Sequence, residues 1–208
     1  MPSSRERWDN RYAARPDVWS RGPNARLVAE VQNLSPGRAL DAGCGEGRNA
    51  LWLASLGWQV TAVDYSRVAI DKARARDRDL KIDWQVADLV ALAPASRVYD
   101  LIVVLYLHTS EAERAHWLPK LIDATAPGGT FFYLGHDPRN IEEGHGGPQD
   151  PALLPDAAAI SAALTGFEVD VATVVERTVN EDPGHGSPGS GIALDTLVRA
   201  RRQLTATD

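Results

Sequence analysis

One cysteine in 208 residues, Cys44, leaves no partner for an internal disulfide and fits a reducing compartment. Inside a glycine-rich stretch it reads as a small packing residue, not a nucleophile. Long apolar runs are also missing. The longest, from Leu101 to Leu107, falls far short of the roughly 20 residues that cross a bilayer. The first twenty residues are charged and hold no apolar core, so no secretory signal is expected there. Positive charge is not in excess either. A formal net charge of −6 and a sequence pI of about 5.4 argue against an extended nucleic-acid footprint. The cluster Arg199, Arg201 and Arg202 reads as a solvated chain end. There is no internal repeat. A cytoplasmic protein with neither membrane nor nucleic-acid partner is expected, as a monomer or homodimer.

What is present is a chain that is 44% hydrophobic, enough for one sizeable core in a single domain over 1–208. Strand patterns fall at 38–41, 59–63, 81–86, 100–105, 130–134, 169–175 and 193–199. Helical patterns lie between them at 49–56, 67–76, 111–126 and 156–164. Ser110-Glu111-Ala112-Glu113 forms a capping box, Ser66 caps the preceding helix, and Gly57, Gly128 and Gly166 stand where helices should stop. Near-continuous apolar strands such as 101–105 require burial on both faces. The expected fold is therefore α/β: a doubly wound, Rossmann-like, seven-stranded, mostly parallel sheet with helices on both faces. The last two strands have no helix between them and should close the sheet as an antiparallel hairpin.

The stretch Asp41-Ala42-Gly43-Cys44-Gly45-Glu46-Gly47 carries most of the functional information. Three glycines at alternate positions, between a strand and a helix, let the chain turn sharply and let a ligand lie against bare backbone. The helix start behind them offers unpaired N–H groups and a positive dipole end, suited to a nucleoside cofactor that carries a carboxylate. Asp41 suits a ligand that is also positively charged. Two further acids follow the next strands. Asp64 lies 17 residues beyond Gly47, near the spacing at which a carboxylate accepts from both ribose hydroxyls, and Asp88 is placed to accept from an exocyclic amine of a base.

These residues resemble the class I S-adenosylmethionine-dependent methyltransferases over nearly the whole chain. The 41–47 stretch matches that family's first motif, Val63-Asp64-Tyr65-Ser66 its second and Ala87-Asp88-Leu89 its third. Tyr99-Asp100-Leu101-Ile102-Val103-Val104 and Ala126-Pro127-Gly128-Gly129 match its fourth strand and the turn before its fifth. The resemblance implies S-adenosyl-L-methionine as cofactor. It places the methionine part at Gly43 and Gly45, the ribose at Asp64 and the adenine amine at Asp88. It makes Asn49, Tyr65, Leu89 and Val104 further pocket residues. Trp8-Asp9-Asn10-Arg11-Tyr12 looks like the amino-terminal signature of the tellurite-resistance and thiopurine methyltransferase branches, in which helices over 1–35 cover the cofactor. That likeness gives Arg11 the methionine carboxylate and makes Trp8, Tyr12, Trp19 and Asn24 wall residues. The rival reading, a nicotinamide-dependent oxidoreductase, calls for G-x-G-x-x-G, whereas this chain has G-x-G-x-G. A catalytically silent module that only binds the cofactor is the other alternative.

Methyl transfer from a sulfonium is an in-line displacement, so the protein has mainly to align the reactants and exclude water. A hydroxyl acceptor must also lose a proton, for which histidine is suited. His108, His136, His145 and His185 fall at or beyond strand ends, the last two in the loops 136–155 and 180–191. His108 and His136 are the candidate bases, with Asp137 beside the latter and His145 entering from a closing loop. His116 lies inside a helix and reads as structural. Glu142, Glu143, Glu181 and Asp182 share the loops and make a divalent metal conceivable, though no metal motif is matched. After the fourth strand the chain reads Leu105-Tyr106-Leu107-His108-Thr109 instead of the [DN]-P-P-[FY] loop of amino-directed nucleic-acid methyltransferases. The expected acceptor is therefore a small molecule bearing a hydroxyl, a sugar or other hydroxylated metabolite. The whole chain is similar to compact sugar O-methyltransferases, such as those that cap methylated mannose polysaccharides. The Trp8–Tyr12 signature implies the alternative of a thiol- or chalcogen-methylating detoxification enzyme.

Overall fold

The computed structural model describes residues 4–179 and 190–204. Two helices, α1 (Ser4–Ala13) and α2 (Ala25–Val31), precede the first strand. An alternating series follows: β1 (Arg38–Ala42), α3 (Arg48–Ser55), β2 (Gln59–Asp64), α4 (Arg67–Arg76), β3 (Asp83–Val86), β4 (Tyr99–Leu105), α5 (Glu111–Ala124) and β5 (Thr125–His136). The chain continues through α6 (Asn140–Glu143), α7 (Ala157–Ala163), β6 (Phe167–Thr178) and β7 (Ile192–Arg202). The strands form one sheet in the order β3-β2-β1-β4-β5-β7-β6, parallel through β5 and antiparallel at β7 and β6.

The alternation of side chains along β4 shows why both faces are covered. Leu101, Val103 and Leu105 join Leu27, Leu53, Ile70 and Trp84 on the side of α2, α3 and α4. Ile102 and Val104 join Trp117, Leu121, Phe131 and Ile160 on the side of α5 and α7. A strand with period-2 side chains and no polar face needs a helix layer on each side. The helix starts agree with the capping signals: the Ser66 hydroxyl accepts from Ala69 N at 3.1 Å, and Ser110 and Glu113 form the reciprocal box.

Two expectations need correction. The helix expected over 111–126 stops at Ala124, because Thr125 already pairs with Tyr99 as the first residue of a long, bulged β5. Of the arginines near the chain end, Arg201 is solvated beside Glu168, as expected, but Arg199 and Arg202 are not. They lie on β7, the strand between β5 and β6, where Arg199 pairs with Glu30 and Asp170, and Arg202 donates to the carbonyls of Ile122, Asp123 and Thr125 at the end of α5. Pairing β7 with both neighbours buries Ala193 to Val198, whereas β6, with polar residues such as Glu168, Asp170 and Glu176, takes the exposed edge. No helix among the described residues is long and apolar enough to cross a membrane.

Candidate active site

At the carboxyl ends of the parallel strands the glycine stretch folds back onto β2. Gly43 N and Cys44 N both donate to the Val63 carbonyl, and Gly43, Gly45 and Gly47 all take left-handed backbone angles. Asp64 fastens the loop. Its Oδ2 accepts from Gly45 N at 2.9 Å and its Oδ1 from Ser66 N at 2.8 Å. Each carboxylate oxygen can still accept a second bond. A Cβ at Gly43 would stand 3.1 Å from Leu107 Cδ1, and one at Gly45 would stand 2.8 Å from the Tyr12 hydroxyl. The loop is bare because its neighbours already come that close.

Above this cradle runs a cavity of about 480 Å³, within the size range of small-molecule sites. Asp64, Tyr65, Asp88 and Leu89 line one end, and Tyr106, Leu107, His108 and Thr109 the other. Trp8, Tyr12 and Trp19 from the N-terminal segment form its roof, and Asn49 lines it from the head of α3. The roof is tied to the glycine loop by Glu46, a buried acid that the sequence reading passed over. Its Oε2 accepts from Val18 N at 2.9 Å and Trp19 N at 3.2 Å, while Oε1 pairs with Lys72 at 3.1 Å.

Ten of the expected cofactor residues line this cavity: Trp8, Tyr12, Trp19, Gly43, Gly45, Asn49, Asp64, Tyr65, Asp88 and Leu89. The other four stand outside its lining. Asn24 caps α2, accepting from Arg26 N and Leu27 N, and its own backbone N donates to Asn49 Oδ1. Val104 is fully buried in the core; Leu105, the next residue of β4, reaches the cavity instead. The Arg11 guanidinium lies against both the Trp8 and Trp19 rings, 5.0 and 4.9 Å from their centroids. Asp41 sits beneath the glycine loop, 1% exposed. Burial, with the negative charge of Asp64, raises its pKa to about 7, and its Oδ2 has no hydrogen-bond partner among the described residues.

The candidate bases fall into two groups. His108 lines the cavity, and its Nε2 is buried without a partner among the described residues. Burial, the facing His136 and Arg11 together hold its pKa near 3, against a pull from Asp195 in the other direction. His136 lies behind it, 4% exposed, its ring parallel to that of His108 at 5.5 Å. Imidazole N–H bonds point along the ring plane, so two stacked rings do not pass a proton between them. Asp137 does not orient His136. It turns away to accept from Thr196 Oγ1 and from Arg139 N. The acid beside His136 is Asp195, whose Oδ1 is 3.1 Å from His136 Nδ1, an ion-pair distance without hydrogen-bond geometry.

His145 packs against Gly191, where a Cβ would come 2.8 Å from its own Cβ, and it lies outside the cavity lining. His116 sits on α5, its Nδ1 2.7 Å from the Ala112 carbonyl. His185, Glu181 and Asp182 lie outside the described residues. Among the described residues no group of three or more His, Cys, Asp or Glu could hold a metal ion. Asp195, Tyr106 and Arg177 were missed by sequence reasoning. The available signal was an acid in the middle of the apolar run 192–198.

The cradle suits S-adenosylmethionine. The bare glycine backbone leaves room for the methionine part, Asp64 and Asp88 stand at the cavity end expected for ribose and adenine, and the orphaned Asp41 Oδ2 lies below the loop, a site complementary to positive charge. Comparison with known proteins agrees. Residues 39–129 match the family described as Methyltransferase domain. The chain is 32% identical over 99 residues to the probable S-adenosyl-L-methionine-dependent methyltransferase TehB of Haemophilus influenzae, covering 44% of this chain and 34% of TehB. A crystal structure of TehB from that organism superposes with a TM-score of 0.69 at 20% identity, over 86% of this chain and 62% of the other. A ubiquinone biosynthesis O-methyltransferase of Methylobacterium sp. is 30% identical over 45% of this chain and 38% of its own length. Probable thiol methyltransferase 2 of Arabidopsis thaliana is 26% identical over 86% of this chain and 80% of its own length. The chain spans about a third of the length of the first curated relatives it matches. Cradle, strand order and motif matches together support a class I S-adenosylmethionine-dependent methyltransferase, the family match itself falling on residues 39–129.

Proposed function

We propose that this chain transfers a methyl group from S-adenosylmethionine to a hydroxyl of a small polar acceptor, a sugar or other hydroxylated metabolite. The observation that carries the reading is the single cavity that runs from Asp64 and Asp88, across the bare Gly43 and Gly45 backbone, to the unpartnered His108 Nε2. When bound, S-adenosylmethionine supplies a methyl on a sulfonium, whose leaving group needs no protonation. The chain supplies alignment and exclusion of water. Asp64 and the glycine loop hold the nucleoside end, while Trp8, Tyr12 and Trp19 close the roof. His108 Nε2 accepts a hydrogen bond from the acceptor hydroxyl at the far end, which orients its oxygen; as the O–C bond forms and the S–C bond breaks, the hydroxyl proton leaves along that hydrogen bond and passes on to solvent.

A second reading, a thiol or chalcogen acceptor, draws support from one observation. An imidazole held near pKa 3 takes up a proton weakly, and a thiol with an ordinary pKa of about 8.5 ionises with far less help than an alcohol. The likeness to a thiol methyltransferase and to an O-methyltransferase supports each reading in turn.

The test is formation of S-adenosylhomocysteine from S-adenosylmethionine with three probes: methyl α-mannoside, 4-nitrocatechol and 2-nitro-5-thiobenzoate. Turnover of a hydroxyl probe supports the first reading, and turnover of the thiol alone selects the second. Tight S-adenosylhomocysteine binding with no turnover on any probe favours a silent binding module. If S-adenosylhomocysteine does not bind, the whole reading falls.

A further inference from the structure

Behind the acceptor end of the cavity, residues on or beside four strands form a polar row, buried at His136 and Asp195 and half-buried at Tyr106 and Arg177. Tyr106 follows β4, His136 ends β5, Asp195 lies on β7 and Arg177 on β6. The antiparallel register places His136 directly opposite Asp195. Asp195 is 1% exposed: its Oδ2 accepts from the Tyr106 hydroxyl at 2.7 Å and from Arg177 Nε at 2.8 Å, while Oδ1 stands 3.1 Å from His136 Nδ1 at ion-pair distance, without hydrogen-bond geometry. Arg177 Nε also donates to the Tyr106 hydroxyl at 3.1 Å. Burial alone would raise the Asp195 pKa, but the His136 contact and the Arg177 charge outweigh it and keep the group below the ordinary carboxylate range.

Both contacts on Asp195 converge on one side chain. Tyr106 takes a left-handed backbone angle, φ 51°, uncommon for a residue with a side chain and kept only where the surroundings enforce it. That bend sends Leu107 against the bare Gly43 backbone and aims His108, two residues on, into the cavity. The other contact sets a carboxylate charge beside the His136 ring on which the His108 ring stacks. A desolvated acid is a costly way to stabilise a fold, because an apolar residue of similar volume serves as well or better. Its use here is geometric.

We infer that Asp195 is a positioning residue: through the Tyr106 hydroxyl on one side and the His136 ring on the other, it sets where His108 meets the acceptor. The inference rests on the reading of His108 as the acceptor-side group. It adds Asp195, Arg177 and Tyr106 to the residues that shape the site.

Imidazole nitrogen NMR of ¹⁵N-histidine-labelled protein, bound to S-adenosylhomocysteine, separates positioning from charge. The groups facing His108 are His136 of β5, Asp195 of β7 and Arg11 of α1. In the native protein His108 stays neutral from pH 5 to 8. Removing the Asp195 charge with the geometry intact would lower the His108 pKa further, because that charge raises it, so no titration would appear. Losing the position would release His108 to water and return its titration toward pH 6.5. For Asp195→Asn we expect titration to appear between pH 5 and 8, with S-adenosylhomocysteine affinity within twofold of native. On any probe the native enzyme methylates, kcat falls by about tenfold or more while KM for S-adenosylmethionine holds, as expected when an aligned group shifts by a fraction of an ångström.

Tyr106→Phe, which leaves the Arg177–Asp195 pair in place, should show the same change in smaller degree and serves if Asp195→Asn does not fold. A His108 signal unchanged in the folded variants overturns the inference while the proposed function stands. Failure of the native protein to bind S-adenosylhomocysteine removes the proposed function instead.

Discussion

The two ends of the cavity are built in opposite ways. At the nucleoside end, each group follows a parallel strand within a few residues of its tip: the glycine loop after β1, Asp64 closing β2 and Asp88 after β3. The carboxylates there hold backbone, and the loop is shaped by local angles. At the acceptor end, the controlling acid comes from an antiparallel strand near the far end of the chain, and it acts on His108 through two other side chains. A local motif suffices to place a cofactor shared across a family. Placing the proposed acceptor-side group, His108, takes a register between distant strands.

The largest expected effect tests the nucleoside end against the acceptor end through pH. Asp41, with its folded pKa raised to about 7, binds a proton more readily in the native state than in the unfolded one, where a value near 3.9 applies. Its contribution is therefore present below about pH 4 and is lost as pH rises toward 7, at roughly 1.4 kcal/mol per unit and about 4 kcal/mol in all. His108, lowered to about 3, works in the opposite direction. Its contribution is present above its unfolded value near 6.5 and is lost as pH falls toward 3. Between about pH 4 and 6.5 the two oppose each other. In the ligand-free protein, Asp41→Asn should therefore raise stability at pH 8 and steepen its loss on acidification below 6.5, read by denaturant melts at a series of pH values. Unchanged melts at pH 8 would remove Asp41 from the balance.

Next in size is Asp64→Ala. It leaves the N–H groups of Gly45 and Ser66 unpaired and should weaken S-adenosylhomocysteine binding by roughly 2–4 kcal/mol in calorimetry. A smaller effect is expected from Gly147→Ala. Gly147 has φ 75°, and an added Cβ would stand 2.7 Å from His136 Cδ2, so the substitution presses on the acceptor-end stack. It should lower stability by about 1–3 kcal/mol and reduce probe turnover while leaving cofactor affinity unchanged. The smallest is Asn24→Ala, which removes the α2 cap at a cost of about 1 kcal/mol. Calorimetry should show S-adenosylhomocysteine affinity unchanged; a marked loss would return Asn24 to the cofactor wall.

Element types and their order were legible because the patterns are local. Helix α4 falls on 67–76 as expected, and the strand cores lie within two residues or so at most ends. Misreadings cluster where tertiary pairing overrides local preference. Thr125 and Ala126 leave the helix to pair beside β4, and the terminal arginines belong to an interior strand. In the site, Asn24 sits at the right place in the chain but serves as a helix cap, since an asparagine ahead of a helix satisfies its first N–H groups before it reaches any ligand. Asp137 was paired with His136 by adjacency. Asp137 lies one residue beyond the end of β5 and is taken up by Thr196 Oγ1 and Arg139 N, whereas the register of β5 with β7 sets Asp195 directly opposite the histidine.

The amino-acid sequence alone determined the parallel half: three glycines, three aspartates and alternating apolar strands impose a cradle through short-range sterics and burial. Only the tertiary structure decided that β7 enters between β5 and β6, and that Asp195 thereby meets His136, Tyr106 and Arg177. Cross-strand contacts depend on pairing register between segments far apart in the chain, and no local propensity encodes that register.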